Sequence, residues 1–375
     1  MKIITIMLAT LFAFNVFAQQ SEVVIAEQAR SLLSLPQNAA GFGKKQVCHT
    51  EKKNLPKGAK KGTAPQTREV CKMVNWFNVA LAVKRGNEPL TIIKADGEEC
   101  TTRTAGFVTG CWLNHIGKTN GVATEFHIEQ PKDYKVYGVR RWVYDSNGKK
   151  FEVTYSPYSD ELNTQAMRAT GHQYLVKLVE GAKRDLRTKG IRSNANPAEL
   201  VVDRIPTDTI VRLATIEHVD HARFQKEGIQ TSAGEVLVTY ALNGGLAYSF
   251  SKSKMGARGL LQYTRKTYQS IVKKYPNSGL INDFVKATAN AHNMAKAALL
   301  LADDDLSQVP LVLRVKIFAN NGLLEDTIAS AYNGGIKRPR GILEKGLDLA
   351  RDNRNEENRI YVEKIRALRK VGKIW

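Results

Sequence analysis

The 375-residue chain has little cysteine, and all four residues (Cys48, Cys71, Cys100 and Cys111) fall in its first third. No closely spaced cysteine pair and no His-Glu-x-x-His run occurs, so no metal site is expected. No cofactor is expected either. Beyond the first eighteen residues no stretch is apolar enough to span a bilayer, which argues against stable membrane insertion. Internal repeats and low-complexity tracts are absent, so a solenoid is excluded. Acidic residues are also scarce relative to basic ones. There are 36 Asp+Glu against 56 Lys+Arg, for a net charge of +20. That excess favours an anionic partner: nucleic acid, a membrane surface or an acidic polymer.

What is present narrows the choice. Lys2 precedes an apolar run from Ile3 to Phe17, and Val16-Phe17-Ala18 places small residues before Gln19. This is the pattern of a secretory signal peptide over residues 1–18, cleaved after Ala18. A periplasmic or secreted location follows, with no nucleic acid as partner and an envelope polymer in its place. In an exported chain the even cysteine set is expected to form two disulfides, with three connectivities open.

Residues 19–64 combine Lys44, Lys45, Lys52, Lys53, Lys57, Lys60 and Lys61 with Gly and Pro, and are expected to form a basic flexible arm. Residues 65–158 show short β-like runs, including 90–93, 134–144 and 151–155, and are expected to form a small disulfide-bonded β-rich domain. Trp76, Trp112 and Trp142 lie in or beside these runs; packing is the expected role, and stacking on sugar rings is the alternative. Residues 159–199 read as a helix followed by a linker. From residue 200 to 375 the apolar spacing becomes mainly helical. Within that part, Val236, Val238 and Tyr240 followed by Asn243-Gly244-Gly245 give a hairpin signal over 234–251. The whole is expected to be an α+β protein.

Glu217 ends the apolar helix signal of Ile210, Leu213, Ala214 and Ile216. A glutamate in an apolar pocket is a good proton donor for a glycosidic oxygen. Its bland reading is a helix-end carboxylate paired with His221. Asp220, three residues on, could share its helix face and position a water.

Four stretches carry a family resemblance. Ser253 is followed by Gly256-Ala257-Arg258-Gly259-Leu260-Leu261-Gln262; Asn293 lies within AHNMAKAALLL; Ala331-Tyr332-Asn333-Gly334-Gly335 follows; and Glu357 precedes Tyr361-Val362-Glu363-Lys364-Ile365. In this order, residues 200–375 resemble the lytic transglycosylase (soluble lytic murein transglycosylase-like) family of the lysozyme superfamily, with Leu261 where the family has Met. The resemblance implies a lysozyme-like domain with a small β-hairpin. It implies cleavage of the β-1,4 bond between N-acetylmuramic acid and N-acetylglucosamine in peptidoglycan glycan strands, by one glutamate acting as acid and then base, with a 1,6-anhydro product. It places Ser253 and Gln262 in the sugar site, Tyr332 against the catalytic carboxylate or the substrate, and Asn333 in that wall. Gly256, Ala257, Gly259 and Asn293 are structural.

The chain departs from the family pattern at the acid. Usual spacing from the glycine-rich motif lands near Asn243 and Gly244, which cannot donate a proton. Glu217 as acid requires a long insertion, and His218 stands where the family has Ser. Glu235 is the reserve. A hydrolase of the same bond, or a peptidoglycan-binding protein that has lost the acid, are the alternatives.

Overall fold

The computed structural model describes residues 22–40, 42–52, 67–97, 106–108, 111–116, 125–130, 133–144, 150–249, 251–253, 255–351 and 355–372. The expected signal peptide lies outside these residues. The protein is α+β, and the chain divides into two compact units: one of Gln28–Ile116 with Phe126–Thr154, the other centred on Tyr155–Trp375.

The first unit is built on a five-stranded sheet, ordered β1 (Phe42–Lys52), β2 (Thr67–Lys84), β7 (Lys135–Tyr144), β8 (Lys150–Tyr155), with β3 (Thr91–Gly97) also on β2. A second sheet holds β4 (Gly106–Val108), β5 (Cys111–Ile116) and β6 (Glu125–Gln130). The eighteen-residue β2 pairs antiparallel with β1 along its first half and with β3 and β7 along its second. Its second half, Val79–Val83, is fully apolar and buried. Ala29 and Leu33 of helix α1 (residues 22–34) lie over β7, where Gly138 leaves room: a Cβ there would sit 2.7 Å from Leu33 Cδ1. Arg140 ties the end of the helix to the sheet by donating to the carbonyls of Leu33 and Leu35 and to Glu152. Trp142 is half-buried, and its indole N–H donates to the Ala40 carbonyl at 2.8 Å.

The flexible arm expected over residues 19–64 is therefore corrected: residues 22–34 are helical and 42–52 form β1. The stripe of Ala26, Ala29 and Leu33, all fully buried, explains the helix. β1 lies at an edge of the five-stranded sheet. Cys48 and Cys71 are direct cross-strand partners and form a disulfide. Cys100 and the Cys111 side chain lie outside the described residues.

The second unit is helical: α2 (Gln165–Thr188), α3 (Thr207–Ile216), α4 (His221–Asn243), α5 (Arg265–Lys274), α6 (Phe284–Ala289), α7 (Ala291–Ser307), α8 (Leu311–Phe318), α9 (Asn321–Gly334), α10 (Lys337–Leu343) and α11 (Glu356–Val371). The helix expected within 159–199 forms as α2, but the linker expected after it, over 190–197, is part of the core. Leu175, Val179, Ala182 and Leu186 of α2 join that core with Ile191 and Ala195. The segment after α2 is pinned by buried Asp303, which accepts from Ser193 Oγ, Asn194 N and Tyr275 OH. Among the described residues no helix is long and apolar enough to cross a membrane.

The hairpin expected over 234–251 does not form. Ser232 to Asn243 is continuously buried on α4, so its β-branched run serves a helix enclosed by neighbours. The closest of these is α2, where a Cβ on Gly171 would fall 1.8 Å from the Leu237 carbonyl oxygen. Only glycine permits that crossing. Asn243-Gly244-Gly245 ends the helix: Gly244 takes φ 52°, and Asn243 bonds the backbone of Ser156.

Candidate functional site

Glu217 caps the C-terminus of α3, and Asp220 caps the N-terminus of α4 by accepting from Arg223 N at 2.9 Å. The four residues between the helices are a turn, so Glu217, Asp220 and His221 do not share one helix face. Asp220 is a capping group. The capping job is a strong enough reason for aspartate at this position.

Glu217 is half-buried, and its Oε2 is shielded from solvent without a hydrogen-bond partner among the described residues. Burial pushes its pKa from 4.5 to about 8; the Lys364 ammonium opposes the shift and the Glu357 carboxylate adds to it. Lys364 of α11 is itself buried and donates to the Val219 carbonyl at 2.6 Å. Burial lowers its pKa, against the pull of Glu217, Asp220 and Glu357. The junction thus holds an acid that stays protonated near neutrality and a cation beside it.

The glycine-rich turn forms the next wall. Ser253 and Ala257 exchange backbone and side-chain hydrogen bonds: Ser253 N donates to Ala257 O at 2.8 Å, and Ala257 N to Ser253 Oγ at 3.0 Å. Arg258 and Tyr263 pair through both backbone groups. Gly259 has φ 76°, and a Cβ there would fall 2.2 Å from the Thr288 carbonyl oxygen at the end of α6. Glycine is required at 259 for both reasons. Gln262, at φ 44°, folds its amide nitrogen back onto Gly259 O and Ser251 Oγ. Ser253 and Gln262 therefore hold the turn together. A non-glycine residue in the left-handed region is a form of stored strain that clusters at functional sites.

Two side chains fasten this turn to the rest of the site. His218 Nε2 donates to the Leu260 carbonyl at 2.8 Å, and its ring stacks on Tyr248 with centroids 3.5 Å apart. Burial lowers its pKa to about 3, so it is neutral. From α9, the Tyr332 hydroxyl donates to the next carbonyl, Leu261. Tyr332 meets Tyr263 edge to face at 5.7 Å, and both phenols lie within electrostatic reach of Glu217. Asn333 follows, half-buried near the end of α9. Asn293 is structural: it accepts from Ile281 N and donates to Tyr268 OH and Ala287 O, fixing α7 against α5 and α6.

Glu235 is engaged by a different partner. It lies on α4, not in a strand, and pairs with Arg223 across the break at Gly228 (φ 79°), bracing the two segments of the helix.

The structure thus brings Glu217, His218, the glycine-rich turn, Tyr332 and Lys364 together, while Glu235 is engaged by Arg223 and lies within electrostatic reach of Tyr248. Sequence reasoning gave no role to Lys364, Tyr263 or Tyr248. It also missed Asp305 on α7, whose pKa burial raises to about 7 and which lies within electrostatic reach of Tyr263 and Tyr332. Lys364 stood inside a quoted motif and was the one that could have been found. No known protein family, curated protein or solved structure matches the chain.

Proposed function

We propose that the helical unit is a lysozyme-like peptidoglycan lytic transglycosylase with Glu217 as its acid and base. The observation that carries this reading is convergence. The acid, the glycine-rich turn, the Tyr332 stretch and the Lys364 helix are far apart in sequence, yet they are joined by His218–Leu260, Tyr332–Leu261 and Lys364–Val219 hydrogen bonds.

The chemistry follows from the electrostatics. With its pKa near 8, Glu217 is protonated at neutral pH and can give its proton to the leaving glycosidic oxygen as the C1–O bond breaks. The resulting carboxylate then takes the proton of the muramic acid 6-hydroxyl as that oxygen bonds to C1. Lys364 favours the ionised form between the two steps. Attack from within the same sugar gains from proximity. Asp220, the nearest carboxylate in sequence, is occupied in capping α4, which favours the internal nucleophile over a water held by a second acid.

Incubation of purified protein with sacculi should release 1,6-anhydro muropeptides detectable by mass spectrometry, and Glu217→Gln should abolish them. Reducing-end products alone would identify a hydrolase. Binding to sacculi with no product, unchanged in Glu217→Gln, would identify a wall-binding protein without the acid chemistry.

A further inference from the structure

Helix α8 carries apolar side chains on two faces. One is its core face: Ile317 is fully buried, and Leu313 and Phe318 are half-buried against the same core. The other faces solvent. Leu311, Val312 and Val315 are 68%, 75% and 60% exposed, and Ala319 is exposed as well. Consecutive residues of a helix lie about 100° apart, so these four share one arc of roughly 100°. Cations border the arc on both sides, Arg314 on one flank and Lys316 on the other. No acidic residue occurs between 306 and 324. Lys316 is exposed and in no ion pair among the described residues. Arg314 lines a concavity of about 390 Å³ beside the arc, together with Leu311, Val315, Phe318 and Arg204. It donates to the Ala195 carbonyl, and its Nε is shielded without a partner among the described residues. Arg204 stacks over Phe318 at 5.4 Å and is held by Glu199. Arg192, in the segment that carries Ala195, is exposed.

We propose that α8 docks on an anionic phospholipid surface. The helix lies in the plane of the interface, with Leu311, Val312 and Val315 at the acyl boundary and Arg314 and Lys316 reaching sideways to lipid phosphates. An apolar arc in contact with water marks an interaction surface, and the charge around it selects the partner. Long basic side chains on both flanks of an apolar arc are what a helix resting in the headgroup layer presents. Three apolar side chains on a helix of this length give weak, reversible attachment and no insertion. Docking uses none of the residues assigned to the acid site, so it stands or falls apart from glycan cleavage.

The test is cosedimentation of the chain from Gln19, the form expected after export, with vesicles of equimolar phosphatidylglycerol and phosphatidylcholine and with vesicles of phosphatidylcholine alone. The anionic vesicles should bind about tenfold more tightly or better. Leu311→Ser, Val312→Ser and Val315→Ser combined should weaken that binding by about tenfold or more. Their unfolding midpoint should match the parent's, because all three side chains are exposed. Lys316→Gln should weaken binding by about fivefold. In a Val312→Trp variant, the added fluorescence should be quenched by vesicles with brominated acyl chains. Equal binding by the Ser variant, absence of that quenching, or equal binding to both vesicle types would overturn the proposal. So would a concentration-dependent dimer that the Ser variant abolishes without any vesicle binding by the parent, which would give the face to a second copy of the chain.

Discussion

Two regions of the helical unit bury carboxylates and answer them differently. At the seam of α9 and α11, Glu325 and Asp326 are almost wholly buried and each faces arginines. Glu325 takes Arg212 at 2.7 Å and Arg369 at 2.8 Å; Asp326 takes Arg366 at 2.6 Å and Arg369 at 3.1 Å. At the α3–α4 junction, Glu217 has a shielded oxygen with no hydrogen-bond partner among the described residues, and its nearby cation donates instead to a backbone carbonyl. The first region neutralises its acids by pairing, the second by keeping the proton on. Pairing holds helices together, whereas a retained proton is available for transfer.

Removing one acid from each region should separate these roles. Glu217→Gln should lower glycan cleavage by about a thousandfold, the range lost with a general acid, while leaving the fold intact. Glu325→Gln should instead leave the specific activity of the folded protein nearly unchanged and cost about 2–4 kcal/mol in denaturant unfolding, because two arginines lose their shared partner. A variant pair that exchanged these effects would erase the comparison.

A second measurement uses pH. Glu217 binds its proton more tightly folded, with a pKa of about 8 against 4.5, than unfolded. Between those values the folded state holds more protons than the unfolded state, so the group's contribution to stability is present below 4.5 and is lost as pH rises toward 8. Glu217→Gln cannot ionise. Its melting temperature relative to the parent should rise across that window and level off above it. Cleavage should fall on the alkaline side as the acid loses its proton. A flat difference in melting temperature would show that the junction solvates its carboxylate after all.

The smallest effect is expected at the turn. Tyr332→Phe removes the hydroxyl that binds Leu261 O and should cost about 1 kcal/mol of stability. Glu217→Gln and Tyr332→Phe should combine to less than the product of their separate effects on cleavage if both act through one site.

Much of the candidate site was legible because its residues recur as spaced motifs: Gly259 is dictated by a carbonyl 2.2 Å from its missing Cβ, and Asn293 by three backbone and side-chain partners. The roles within it were less so. Gln262, expected to line a sugar site, turns its amide inward, which depends on the left-handed backbone that no composition signals. On the scale of the fold, the shift from short β-like runs to helical spacing was readable. The run Val236–Tyr240 was misread because alternation in a strand and full enclosure in a helix leave the same apolar residues. The burial that decides between them is supplied by α2, through Gly171, some sixty-odd positions earlier in the chain. Likewise β1 could not be told from a solvated arm until β2 was laid beside it.

The two consecutive carbonyls of Leu260 and Leu261 have one further consequence. One accepts from His218 and the other from Tyr332, so adjacent peptide groups of one segment link the α3–α4 turn to α9. Substitutions tolerated at 218 should depend on which residue stands at 332. The history of such a site would then be written as paired exchanges, with the backbone between them as the unvarying intermediary.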